Sequence, residues 1–193
     1  MNSTRNNRLL VLLSVGLTLI LLASCSKYQS ESYTIQGVDA KGCEMLSDTI
    51  FQRINAANWK HENVADSVSA IIDILEEDSI FVEEEKSTYL IVTDAAEDST
   101  YFAFISSMNS VIFFYSRSVE MELFQENGTI VKPSNITMPL ETAADCVDET
   151  ATVPTPLIRT RREYGTPGSK YLVRVIKNEQ TGASSFFLAI VKN

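Results

Sequence analysis

Val119-Glu120-Met121-Glu122-Leu123 alternates apolar and acidic residues, and Asn127-Gly128 follows before Thr129-Ile130-Val131. Alternation at a period of two puts Val119, Met121 and Leu123 on one face and the glutamates on the other, as in a half-buried strand. Asn-Gly accepts the left-handed backbone of a tight hairpin, so the stretch predicts a strand, a turn and a returning strand. Upstream, Ile80-Phe81-Val82, Tyr89–Val92, Tyr101–Ile105 and Val111–Tyr115 are short β-rich runs, the last two separated by Ser-Ser-Met-Asn-Ser. Downstream, Tyr171–Ile176 and Ser185–Val191 read as two closing strands, with Asn178–Gly182 as the turn between them. Many short strands punctuated by turns predict a mostly β domain, a β-sandwich or jelly-roll-like fold.

Three segments do not follow that rhythm. Over Glu62–Glu77, Val64, Val68, Ile71, Ile72 and Leu75 fall at helical spacing and Asp66 can open the first turn; Ala70, Ile72 and Ile74 also alternate. The reading is one short helix. Pro133 to Pro156, with Pro139 and Pro154 inside it, reads as a long loop, either for binding or disordered. Phe113 and Phe114 are neighbours in a strand and point to opposite faces, so one is exposed or lies under the helix or the loop.

Glu126-Asn127-Gly128 after a strand, and Gly168-Ser169-Lys170-Tyr171-Leu172-Val173-Arg174-Val175 before the last one, are similar to pre-peptidase C-terminal-type and related jelly-roll sandwiches. The likeness runs from Tyr89 onward and implies fold only.

Near the start, Arg5 and Arg8 precede an apolar run from Leu9 to Leu22, and Leu22-Ala23-Ser24-Cys25 follows. This resembles the lipobox of bacterial lipoproteins: a basic region, an apolar region too short to span a bilayer, then small residues before the cut. The resemblance implies lipid on the Cys25 sulfur, cleavage before it, and an envelope location. The alternative is a membrane-spanning anchor with Cys25 as a bystander. Ser26 in second place favours the outer membrane by analogy with lipoprotein sorting. The absence of an acidic run in Ser-Lys-Tyr-Gln-Ser-Glu favours its periplasmic face. The expected organisation is a signal peptide over 1–24, a lipidated tether over 25–36 and a single β-rich domain over 37–193.

Removing residues 1–24 takes away Arg5 and Arg8 and no acid, so the net charge goes from −9 to −11 over 169 residues. That length suits one domain with a proper core. So acidic a chain lacks the basic footprint of nucleic-acid binding and a polybasic membrane patch. The lipid is then its expected membrane contact, with an envelope protein or glycan as a further partner. Two cysteines remain, Cys43 and Cys146. In an oxidising compartment they read as a disulfide; two buried free thiols are the alternative.

Catalytic chemistry has little to work with. His61, the only histidine, lies in the polar stretch Asn58–Asn63, and no Gly-x-Ser-x-Gly elbow is present. One histidine and two distant cysteines give no zinc-ligand spacing. Acids cluster at Glu76-Glu77-Asp78, Glu83-Glu84-Glu85, Asp94 with Glu97-Asp98, and Asp145 with Asp148-Glu149. None has the spacing of an EF-hand loop; Asp94–Asp98, between two strands, is the best calcium candidate, with a solvated turn as the bland reading. Arg159, Arg161 and Arg162 form the one basic cluster, to bind an anion or to pair with the domain's own carboxylates. Trp59 could line a glycan or partner site. Asn127-Gly128-Thr129 and Asn135-Ile136-Thr137 match the N-glycosylation pattern, a chance match in a bacterial lipoprotein. No catalytic residue, metal or cofactor is assigned. The expected role is binding or structural. The alternative is a carboxylate-dependent hydrolase of an envelope polymer; an ion-sensing module at Asp94 is a third reading.

Overall fold

Val111-Ile112-Phe113-Phe114-Tyr115 contains no charged side chain, and all five residues are fully buried. A strand of that kind needs cover on both faces. The computed structural model, which describes residues 35–58, 67–94, 96–137, 146–148, 155–166, 168–176 and 185–193, supplies it with a helix outside each of two sheets. Cys25, Trp59, His61 and the turn expected at Asn178–Gly182 lie outside the described residues.

In chain order the elements are α1 (Gly37–Ser47), β1 (Phe51–Asn55), α2 (Val68–Glu77), β2 (Phe81–Glu83), β3 (Thr88–Val92), β4 (Ser99–Ser106), β5 (Ser110–Tyr115) and β6 (Glu120–Gln125). Then come β7 (Ile130–Val131), β8 (Asn135–Thr137), β9 (Val147–Asp148), β10 (Thr155–Pro156), β11 (Thr160–Gly165), β12 (Ser169–Ile176) and β13 (Ser185–Lys192). One sheet runs β1-β3-β13-β5-β11-β8 and the other β2-β4-β12-β6-β7, while β9 and β10 form a separate ribbon. Each sheet is mixed: β1 pairs parallel with β3 and β2 with β4, and the other pairings are antiparallel. The expected β-sandwich is therefore the fold, with two helices rather than one among the described residues.

The pleat sorts the side chains. Phe113, Tyr115, Tyr164, Leu188 and Ile190 face inward from the first sheet and meet Phe102, Phe104, Met121, Leu123, Tyr171 and Val173 of the second. Aromatic rings bridge the layers, with Phe104–Phe113 centroids 5.0 Å apart and edge-on. The alternate residues face outward. Ile112, Phe114, Ala189 and Val191 pack beneath α1 through Cys43 and Leu46. Tyr101, Ala103, Phe124 and Leu172 pack beneath α2 through Val68, Ile71, Ile72 and Leu75. The result is helix, sheet, sheet, helix, with three apolar interfaces. This explains the unbroken apolar runs in β4, β5 and β13 and over Tyr171–Val173 in β12.

Several expectations need revision. The helix is right in kind: α2 buries Val68, Ile71, Ile72 and Leu75 and leaves Ile74 exposed, which helical spacing demands and alternation would not. The β6 alternation holds to Leu123, but Phe124 on the outer face is also buried, because α2 covers it. The long loop contains β8, β9 and β10. Of the tether expected over 25–36, residues 25–34 lie outside the described residues, and Ile35 is buried with the α1 cluster. Phe114 is covered, but by α1, a helix the sequence did not announce.

Gly42 is what lets α1 lie so close. A Cβ there would sit 2.6 Å from the Phe114 ring. That ring is fully buried and has no room to yield. Gly42→Ala is expected to destabilise the domain. Overpacking costs about 1–3 kcal/mol, more than the ~1 kcal/mol that alanine returns in helix propensity. Gly165→Ala, whose Cβ meets nothing within 4 Å, is the control. Equal urea midpoints for the two variants would contradict the close α1–Phe114 approach.

Candidate functional site

A cleft of about 360 Å³ opens where the C-terminal end of α1 meets the β2–β3 turn, lined by Lys41, Glu44, Met45, Asp48, Ile50, Glu85, Lys86, Ser87 and Thr88. Its volume is within the range of small-ligand sites. Two contacts hold its walls together. The Thr88 hydroxyl donates to the Met45 carbonyl at the end of α1, which also accepts the Asp48 amide. Lys41 Nζ lies 2.6 Å from Glu85 Oε1 and bridges the helix to the turn.

Glu85 is the pivot of that turn. Its φ is +55°, in the left-handed region that non-glycine residues seldom occupy. Its amide donates to Ile190 O at 2.9 Å. Its carboxylate accepts from Lys41 and, at 3.3 Å, from the Lys192 amide. The Lys41 hydrogen bond, reinforced by the Lys192 amide, holds the Glu85 carboxyl below its ordinary 4.5 against the opposing pull of desolvation. A depressed carboxyl contributes stability above its unfolded pKa and loses it as pH falls through the folded value. Glu85→Gln is therefore expected to lose less stability than the parent on acidification below pH 4.5. The exposure of the pair keeps the difference under about 1 kcal/mol. Parallel acid titrations of the two proteins, followed by circular dichroism, check this; superimposable curves would refute it.

The other charges of the cleft are arranged around this pair. Asp48 Oδ1 accepts the Ile50 amide at 2.9 Å and shapes the exit from α1. Lys86 sits 3.4 Å from Glu83. Glu44 makes no ion pair with a described residue. Beside these groups Ile50 is 77% exposed and Phe51 43% exposed, the latter edge-on to Phe187 at 5.3 Å. Fixed charges of both signs thus flank an unburied apolar pair. The sequence reading passed over this place, because Lys41, Asp48 and Glu85 are far apart in the chain and no motif links them.

The residues singled out beforehand are dispersed. Cys43 and Cys146 do meet, with Cα atoms 5.7 Å apart and their sulfurs within disulfide distance, Cys43 on the buried face of α1 and Cys146 buried against it. The basic cluster is split by the pleat of β11. Arg161 turns to Asp39 of α1 at 2.9 Å and to Glu163 at 3.7 Å, the pairing with the domain's own carboxylates. Arg162 points the other way, donates to Val119 O and Met121 O at 2.9 and 3.0 Å, and lies over the Tyr115 ring. It thereby ties β11 of one sheet to the start of β6 in the other. Arg159 contributes a main-chain bond to Tyr115 O.

The acids serve local structure as well. Asp94 accepts from Ala96 N at 2.8 Å and from Asn58 Nδ2 at 2.7 Å. Glu84 receives both the amide and the hydroxyl of Ser107. Glu76 pairs with Lys170 and Glu122 with Arg174. Among the described residues no group of three or more His, Cys, Asp or Glu side chains is placed to hold a metal ion. No described helix is long and apolar enough to cross a membrane. Asn127 Oδ1 accepts the Thr129 amide and fixes the β6–β7 turn. Searches of the chain find no matching protein-family model and no matching curated protein.

Proposed function

We propose that this chain is a lipid-anchored protein of the bacterial cell envelope, held through lipid on Cys25 at the periplasmic face of the outer membrane. Its role is binding or structural, with an envelope protein or glycan as partner. The observation that carries the reading is the meeting of Cys43, on the buried face of α1, with Cys146. Disulfides persist in oxidising compartments, and an extracytoplasmic address is what Leu22-Ala23-Ser24-Cys25 implies.

The anchor is tested at Cys25. Cys25→Ala is expected to abolish incorporation of labelled fatty acid and to move the protein from the detergent phase to the aqueous phase or leave it unprocessed. Undiminished labelling would refute the lipoprotein assignment. Capture from solubilised envelope with the intact lipoprotein as bait would identify the partner.

A further inference from the structure

We propose that the chain is O-glycosylated at a recurring Asp-Ser/Thr turn, with Ser79 and Thr49 as the principal acceptors and a polyprenyl-diphosphate-linked glycan as the donor. The proposal rests on the envelope location read above and adds a covalent modification to it.

The first observation is a recurrence. Four of the nine aspartates precede a hydroxyl residue, in Asp48-Thr49-Ile50, Asp66-Ser67-Val68, Asp78-Ser79-Ile80 and Asp98-Ser99-Thr100, and each triplet ends on a β-branched residue. All four fall where one element gives way to another: after α1, at the opening of α2, at its end, and at the opening of β4. Asp66 lies outside the described residues.

The second observation is that turn chemistry does not account for the hydroxyls. Helix α2 ends in a Schellman arrangement, with the Ile80 amide donating to Leu75 O at 2.7 Å and the Ser79 amide to Glu76 O at 3.1 Å. Ser79 consequently has φ +59°, at the position glycine fills without strain. Serine stands there instead, exposed, and its hydroxyl bonds to no described residue. Ser67 occupies the N-cap of α2 and makes no capping bond. Thr49 is exposed at the tip of the turn that Asp48 closes by accepting the Ile50 amide at 2.9 Å. These hydroxyls stand where the fold has no use for them and where an enzyme can reach them.

An aliphatic hydroxyl accepts phosphoryl or glycosyl groups. Phosphoryl transfer draws on nucleoside triphosphate, which the space outside the cytoplasm lacks; sugars are activated there as polyprenyl diphosphates. In the transfer the bond from the anomeric carbon to the diphosphate oxygen breaks and its electron pair leaves on the diphosphate. The Ser79 Oγ forms the new bond to that carbon, and the hydroxyl proton passes to a base of the transferase. Ser67 and Ser99 are half-buried beside the buried Val68 and Thr100, so they accept less than Ser79 and Thr49.

The test is mass spectrometry of the full lipidated chain purified from the envelope of its native cell, before and after β-elimination, which turns a glycosylated serine into dehydroalanine. Sugar increments are expected on Ser79 and Thr49. Ser69 and Ser118, exposed hydroxyls with no aspartate before them, should stay bare. Ser79→Gly, which suits the backbone, and Asp78→Asn, which keeps the hydroxyl, should each remove the increment at position 79 and leave that on Thr49. Bare Ser79 and Thr49 on a lipidated chain overturn the glycosylation and leave the anchor standing. Sugar on Ser69 or Ser118 as often as on Ser79, or undiminished sugar in Asp78→Asn, overturns the triplet as the signal. Phosphate in place of sugar overturns the donor chemistry. Sugar on Ser79 and Thr49 of a chain that carries no fatty acid upholds the modification and overturns the anchor.

Discussion

Replacing Cys43 and Cys146 together by alanine is expected to lower the unfolding free energy by about 4–5 kcal/mol, a large part of the ~5–15 kcal/mol that holds a domain folded. The two residues are 103 apart in sequence. A cross-link closing a loop of about a hundred residues removes ~4.7 kcal/mol of chain entropy from the unfolded state. Its position adds to the effect. Cys43 sits on α1 among Leu46, Phe114 and Val191, so the link also secures the layer that covers the first sheet. Urea unfolding of parent and variant, with and without reductant, gives the number. Mass spectrometry of unreduced, alkylated protein checks the bond itself. Two alkylated thiols in protein taken from an oxidising compartment, with stability indifferent to reductant, would refute it.

Phe113→Ala is expected to cost about 3–5 kcal/mol, the usual range for truncating a fully buried phenylalanine. Phe113 lies in the middle layer, between the sheets. Its ring is edge-on to Phe104 at 5.0 Å, 5.2 Å from Tyr164 and 6.2 Å from Tyr115. Removing it takes one partner from three aromatic pairs at once and opens a void that rings cannot fill without leaving their rotamers. Calorimetric and urea midpoints measure the loss. A cost under about 1 kcal/mol, the level of a tolerated volume-conserving swap, would mean that the sheets do not close over this ring.

Part of the architecture was legible because the hydrophobic effect writes itself locally. Val119, Met121 and Leu123 alternate because one face of β6 meets the other sheet. The runs at Val111–Tyr115 and Tyr171–Val173 are unbroken because a helix lies behind them. In α2 the spacing of Val68, Ile71, Ile72 and Leu75 follows directly from covering a sheet with one stripe of a helix.

Other elements left no such mark. Helix α1 begins at Gly37 and carries Gly42, a poor helix former kept because Phe114 occupies the space a side chain would need. Strand β11 holds Arg161, Arg162 and Glu163 in sequence, which reads as a solvated run. Each finds its partner in a distant segment: Arg161 at Asp39, Arg162 at the carbonyls of Val119 and Met121, and Glu163 at Asn193. Strand β1 buries only Ile54 because it lies at the edge of its sheet, and two apolar residues in five, Phe51 and Ile54, do not alternate. The cleft was invisible for the same reason, since Lys41 and Glu85 meet across 44 positions.

By itself the sequence determined the mostly β character, the hairpin at Asn127-Gly128, a helix within Glu62–Glu77 and the two cysteines with only each other to pair with once Cys25 is set aside. Local periodicity and chain chemistry are enough for these. Only the tertiary structure decided that Phe114 lies under a helix, that the three arginines part company, and that charges of both signs gather beside Ile50 and Phe51. Those outcomes depend on which faces come together, and a side chain's neighbours across a sandwich are set by sheet order and register rather than by the residues next to it in the chain.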